Sequence, residues 1–511
     1  MSQHGGTSRG ALQSSPSDFV GGRFIALPSG AADEIVVRDP ADPSRVVWSS
    51  GTALDHVDAA VRAARSALPA WARLSIDERT AALKAYAAAV TTHVDRIADR
   101  ITLEMGKLRS ESILEAKLLA EKVAITLDEI SLSRVRGYDV PVAATRVGRC
   151  RFKPHGVMAV LGPFNFPAHL PNGHFVPALL LGNTVVFKPS EKTPGVAQIL
   201  AECVAEAGLP AGVFNVVQGG AATARALVAH DGLDGILFTG SWPVGRRILE
   251  ANLDRPGRIV ALELGGSNPA VVMPSADLKQ AAIECARSAF ATTGQRCTCT
   301  RRILVHESVA RPFLQAFCSM ASTLLVAPGF SAEPAFMGPI VSEAAANAFL
   351  EGQRRLAAQG GRVLVAATRM DRPGWFVTPS VVEVDRFDVA ADCEIFGPLA
   401  QVAVVRDLDA AIDGANATEF GLAAAIFTKD AGEFERFFAE CRAGCINWNT
   451  GTAGASSKLP FGGLGKSGNH RPAAAFSVDY CAYPVANMVE SGDAAPLPAG
   501  MRFDDAWIAS R

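Results

Sequence analysis

Five apolar runs between residues 157 and 263, VMAVL, TVVF, VFNVV, GILFT and RIVALE, alternate with helical or loop segments, and this order restricts the fold more than any other feature. Strands and helices in alternation predict a parallel sheet with crossover helices. Such sheets bind ligands beyond the carboxyl ends of their strands, so the residues that follow each run are the first candidates for a site. A second alternating region begins at NPAVVM after Gly266, passes through a helix into residues 290–302 (FATTGQRCTCTRR), and continues with ILVH and later strands to about residue 465. No internal repeat is present. The expected class is α/β.

A chain of 511 residues has room for two or three domains, and 49% hydrophobic with 20% charged residues is the balance of a globular protein with a large core. The net charge of −2 supplies no basic face for nucleic acid, which points to a small-molecule partner. Ten cysteines without the short regular spacings of a disulfide framework indicate a reducing compartment, and the cytoplasm is the expected location. Residues 1–17 are polar and rich in glycine and serine with no apolar segment, so a flexible tail is expected rather than a secretory signal. No apolar run approaches the 18 or so residues of a membrane span.

Short strands are expected over residues 20–50, around the turn D-P-A-D-P. Leu54, Val57, Val61, Ala64 and Leu68 form a helical stripe that should stop at Pro69, and Ser75-x-x-Glu78 is a capping box opening a second helix. Leu83, Ala87, Val90, Val94, Ile97 and Ile101 continue that second stripe, and a third helix is expected over about 110–132. Residues 134–153 read as an arginine-rich hairpin and 476–486 as an exposed strand. The arginines serve either edge protection or pairing with another subunit.

Cys297 is the candidate nucleophile. A thiol attacks carbonyls as thiolate, and Arg296, with Arg301 and Arg302 further on, supplies cations that would lower its pKa. Cys299 makes neither a CxxC pair nor a zinc knuckle with it, and no metal site is expected. Glu263 ends an apolar strand, where burial would suit it to general-base work, against the plainer role of a capping carboxylate. Asn165, in a turn after a strand, can donate to an oxyanion or simply serve the turn. Gly240 and Gly245 bracket a strand-to-helix turn of the kind that admits phosphate, or an ordinary turn. Lys188 and Glu191 can hold ribose hydroxyls, with Glu191 opposing a 2′-phosphate, or form a solvated ion pair. His169 and His174 are read as locally bonded histidines rather than metal ligands.

In this order, Gly-Pro-Phe-Asn-Phe-Pro (162–167), Phe-Lys-Pro-Ser-Glu (187–191), Phe-Thr-Gly-Ser (238–241) with Gly245, Leu-Glu-Leu-Gly-Gly (262–266), Gly-Gln-Arg-Cys (294–297), Glu-Ile-Phe-Gly-Pro (394–398) and Pro-Phe-Gly-Gly-Leu-Gly-Lys-Ser-Gly (460–468) resemble the aldehyde dehydrogenase superfamily over about residues 20–490. The resemblance implies Cys297 as nucleophile, Glu263 as general base, and Asn165 with the Cys297 N–H as oxyanion hole. It implies NAD as cofactor, with Lys188, Ser190 and Glu191 at the adenosine ribose, Gly240, Ser241 and Gly245 at the pyrophosphate, and Glu394 with Phe396 at the nicotinamide ribose. The implied architecture is a Rossmann-like cofactor domain (18–133 and 154–265), an α/β catalytic domain (266–469) and a β oligomerisation arm (134–153 and 470–490), with a C-terminal tail (491–511). A homodimer or homotetramer follows from that arm.

Four stretches, 165–174, 294–299, 468–472 and 479–484, resemble more narrowly the branch of that superfamily acting on N-succinylglutamate 5-semialdehyde in arginine degradation. Arg296, His470 and Arg471 are the candidate cations for its carboxylates. The chain departs from that branch at Ala168, at Trp242-Pro243 in the pyrophosphate turn, and in a polar N-terminal extension. The competing readings are a dehydrogenase of another small semialdehyde or aliphatic aldehyde, and a cofactor-free thiol hydrolase pairing Cys297 with His470.

Overall fold

A computed structural model describes residues 10–29, 33–492 and 497–509. Two seven-stranded sheets carry the molecule. In the first, Ile259–Glu263, Gly235–Thr239, Val157–Leu161, Thr184–Lys188 and Phe214–Val216 run parallel, and the antiparallel pair Ser17–Val20 and Arg23–Ala26 completes one edge. The three central strands are buried at every residue, which is why they read as unbroken apolar runs. Val157, Ala159 and Leu161 pack with Val57, Ala60 and Val61 of the helix Asp55–Arg73. Met158 and Val160 face the other way, among Phe175, Leu83 and Ile101 from three further helices.

The second sheet, in the order Arg362–Val365, Ser380–Glu383, Leu399–Val405, Thr300–His306, Asn268–Val272, Ala423–Phe427 and Cys445–Trp448, is parallel except at its first strand. Tyr138–Pro141, Arg146–Pro154 and Ala482–Glu490 form a separate antiparallel sheet with mostly exposed side chains. Of the second stretch assigned to the arm, only the part from Ala482 lies in this sheet. Ala473–Ala474 pairs instead with Pro460–Phe461, and Ser477–Tyr480 is a short 3-10 turn.

The helix Asp55–Arg73 runs through Pro69 rather than stopping there, because Trp71 is buried and its indole N–H donates to Leu179 O at 3.0 Å, tying down the last turn. The long stripe after the Ser75/Glu78 capping box is two helices, Ile76–Thr92 and Val94–Met105, broken at His93. The third helix, Arg109–Thr126, ends before a one-turn helix Glu129–Leu132. Residues 10–17 are not a free tail. The Gln13 N–H donates to Glu202 at 3.1 Å, and buried Gln198 donates to the Ser14 and Ser15 carbonyls, so polar groups on the helix Pro194–Glu206 hold this segment down. Residues 1–9 lie outside the described residues, as do parts of 491–511.

Candidate active site

Cys297 stands in a loop between the helix Leu278–Phe290 and the strand Thr300–His306. The loop turns through Thr292 and Thr293 at φ 54° and 55°, a left-handed conformation that β-branched residues rarely adopt. Side-chain bonds hold it there: Thr292 Oγ1 donates to Glu111 at 2.7 Å, and Thr293 Oγ1 to Gly338 O at 2.9 Å. Gly294 follows at φ +68°, where a Cβ would lie 2.1 Å from Gly397 O, so no other residue fits. Asn268 Nδ2 donates to the carbonyls of both Cys297 and Cys299 at 2.8 Å, fixing the backbone of this loop from the second sheet. Asn268 was not singled out from sequence, where it is an asparagine at the start of an apolar run.

The arginines beside Cys297 do not activate it. Arg296 pairs with Glu111 at 3.1 Å, while Arg301 and Arg302 spend their guanidinium donors on the carbonyls of Gly397, Gly294, Ser267 and Ala415. Burial, with the carboxylates of Glu394 and Glu263, pushes the Cys297 thiol up instead. Cys297 keeps part of its surface open, whereas Cys299 is fully buried.

Glu263 ends its strand opposite Thr239, and both carboxylate oxygens are buried without a hydrogen-bond partner. Burial raises its pKa well above the ordinary carboxyl value, and the nearby Ala473 N–H lowers it only in part. Asn165 Nδ2 donates to Gln295 O at 3.0 Å, which ties the oxyanion candidate to the cysteine loop and leaves its second amide proton free. Glu394 is half-buried and accepts from the Gly266 N–H at 3.1 Å. The Phe396 ring meets Phe164 edge-on at 5.8 Å.

One cavity of ≈ 1470 Å³ is lined by Lys188, Ser190, Glu191, Gly240, Ser241, Glu394, Phe396, Asn165 and Cys297. Lys188 is buried and brought down to about 8, its ammonium donating to Pro189 O with Glu191 partly restoring it. Ser241 caps the helix Trp242–Glu250 without a side-chain bond, so the helix N-terminus faces the cavity uncovered. Pro243, in that first turn, contributes no N–H. Gly245 does not line the cavity: a Cβ there would lie 2.8 Å from Leu264, so its role is close packing of helix on strand. Lys192, Arg225, Arg247 and Arg355 also line the cavity and were not read from sequence, where they are isolated basic residues on separate elements.

His174 is buried between Tyr480 OH at 2.9 Å and Thr239 Oγ1 at 3.0 Å, and burial brings it to about 3. His470 and Arg471 are exposed, His470 at φ 59°, with Arg471 in electrostatic range of His155.

Comparison with known proteins agrees with this geometry. Residues 27–484 match the model of the aldehyde dehydrogenase family. The chain is 45% identical over 474 residues to an N-succinylglutamate 5-semialdehyde dehydrogenase of Pseudomonas fluorescens (strain Pf0-1), covering 92% of this chain and 96% of that one. It is 43% identical over 483 residues to the protein of the same description from Chromobacterium violaceum, covering 94% and 98%. Among solved structures, an NAD-dependent aldehyde dehydrogenase from Sinorhizobium meliloti superposes with a TM-score of 0.89 at 29% identity, over 95% of this chain and 96% of that one. Cys297 and Asn165 on one cavity, with the buried Glu263 carboxylate in electrostatic range of the thiol, are thus set in the fold of those relatives, and the chain belongs to the aldehyde dehydrogenase family, as an aldehyde-oxidising oxidoreductase.

Proposed function

We propose that the chain oxidises N-succinyl-L-glutamate 5-semialdehyde to N-succinyl-L-glutamate with NAD, in arginine degradation, as a cytoplasmic homodimer or homotetramer. The observation that carries the chemistry is the buried Glu263 carboxylate, without a hydrogen-bond partner and within electrostatic range of the Cys297 thiol, which itself lines the cavity. The substrate assignment is supported by likeness to the two curated relatives over nearly the whole chain.

A dinucleotide suits the residues along the cavity. Lys188 offers a buried ammonium whose protein partner is a carbonyl, Glu191 an exposed carboxylate for ribose hydroxyls, and the uncovered start of the helix Trp242–Glu250 a seat for phosphate. The chemistry NAD supplies when bound is acceptance of hydride from the reacting carbon.

The chain's own groups do the rest. Burial keeps Cys297 a thiol at rest and makes Glu263 basic, so the carboxylate is suited to take the thiol proton. The thiolate attacks the aldehyde carbon, and the oxygen that becomes anionic is met by the free Asn165 amide proton and the Cys297 N–H. One such donor is worth about 100- to 1000-fold in rate. Loss of hydride leaves an acyl thioester on Cys297. Once Glu263 has released the thiol proton to solvent it is a base again; it takes a proton from the water that attacks the thioester carbon, the acid leaves, and the thiolate is restored.

The exposed three-stranded sheet, with Tyr138, Val140, Val142 and Met488 on its surface, supports self-association. The ten cysteines are free, which supports a reducing compartment.

The test is kcat/KM with NAD for N-succinylglutamate semialdehyde, succinate semialdehyde and propanal. A preference of about ten- to a hundredfold for the first over propanal is expected, the worth of one charge-assisted hydrogen bond. Outright preference for propanal retires the substrate and leaves aldehyde oxidation standing. Glu191→Ala should narrow the NAD over NADP preference by about tenfold, chiefly through KM, since it removes a ribose acceptor and a charge opposing a 2′-phosphate while Lys192 and Arg225 remain. Equal use of both cofactors by the parent enzyme would contradict that role.

A further inference from the structure

Lys122, on the helix Arg109–Thr126, is 2% exposed, and the hydrogen bond its ammonium makes is to a backbone carbonyl, that of Ala474. Burial brings it down to about 8, so at neutral pH it still carries its charge. Lys107, equally buried nearby, shows the usual remedy: its Nζ lies 2.6 Å from the Glu115 carboxylate. A buried ammonium without an anion is costly, and a site that keeps one is completed by an anion from outside.

His169 lies beside it, at the first turn of the helix His169–Leu180. Its Nδ1 is out of water and has no partner. Burial, with the charges of Lys122 and Lys107, brings it to about 4, so it is a neutral imidazole with a ring N–H to donate. One turn further, at Gly173, the nearest atom to an added Cβ would be Lys122 Cε at 3.9 Å, so no side chain of this helix stands against the lysine there.

Both residues adjoin the reacting groups. His169 is four residues beyond Asn165. Ala474, whose carbonyl Lys122 holds, follows Ala473, whose N–H approaches Glu263. Ala473 and Ala474 are consecutive, so the ammonium and the Glu263 carboxylate are tied to neighbouring backbone groups. Arg296 is already held by Glu111.

We propose that Lys122 and His169 form the anion-recognising end of the aldehyde site, where the ammonium and the imidazole N–H receive the substrate carboxylate nearest to the reacting carbon. This rests on the anionic substrate proposed above. It assigns substrate choice to buried Lys122 and half-buried His169 rather than to the exposed Arg471 or His470.

The experiment measures kcat/KM for N-succinylglutamate semialdehyde divided by that for propanal, in the parent, Lys122→Met, His169→Leu and Arg471→Ala, together with inhibition of propanal oxidation by free succinate. Lys122→Met should lower the ratio by about ten- to a hundredfold through KM and weaken succinate inhibition in proportion. His169→Leu should lower it by about tenfold, and it decides the matter should Lys122→Met fail to fold. A parent enzyme with no preference for the anionic aldehyde sinks the substrate reading. A parent preference that survives both substitutions, or falls only in Arg471→Ala, overturns the pair. A loss of kcat shared by both aldehydes with the ratio intact also overturns it, since Lys122 would then merely hold Ala474 in place.

Discussion

Cys297→Ala should abolish NADH formation, with a loss beyond about 10⁴-fold, the scale on which nucleophile deletions fall. The thiol forms only one edge of a cavity whose cofactor contacts lie along Lys188, Glu191 and the start of the helix Trp242–Glu250, so NAD still quenches protein fluorescence at nearly the parent affinity. Cys299→Ala is the informative control. Its sulfur is fully buried, so the substitution costs about 1–2 kcal/mol of stability while most activity survives. Were Cys299→Ala the lethal change, the nucleophile would have been misassigned.

Glu263→Gln produces close to one equivalent of NADH per site and then stalls, because water lacks its base after the acyl group has formed. Steady-state turnover falls by about 10²- to 10⁴-fold. The burst itself is slower than in the parent and speeds up with pH, since Cys297, pushed up by burial, must ionise without the neighbouring carboxylate. The parent's kcat/KM rises with pH through the raised Glu263 pKa, and that limb is missing in the variant. Stability moves the other way. The folded pKa of Glu263 lies above its unfolded value, so its contribution is full below the ordinary carboxyl range and is lost as pH rises through the folded pKa. Glutamine has no charge to bury, and the variant therefore melts above the parent at neutral pH. A variant that folds and binds NAD but gives no burst would move Glu263 wholly into the first half-reaction.

Local pattern carried the sheets and most of the site. Buried parallel strands show as unbroken apolar runs, and Asn165, Lys188, Gly240 and Glu263 each sit at or just after the end of one, where ligands gather in α/β sheets. The charge around Cys297 was not legible. Three arginines adjoin it in sequence, yet the left-handed turn at Thr292 and Thr293 and the pull of buried carbonyls draw their guanidiniums elsewhere. Gly245 has the right spacing for a phosphate turn but serves packing against Leu264. Pro69 is a helix breaker by rule and is overridden by the anchoring of Trp71. Lys122 and His169 meet only through tertiary structure, between two helices whose sequences say nothing of each other.

The covalent chemistry proposed here is read by mass. Glu263→Gln, mixed with NAD and N-succinylglutamate semialdehyde, quenched in acid and digested, should carry the succinylglutamyl acyl group on Cys297, placed there by fragment ions that separate it from Cys299 on the same peptide, at close to one per chain and dependent on NAD. An acyl group on Cys299 or another cysteine, or none at all beside a full NADH burst, would contradict it.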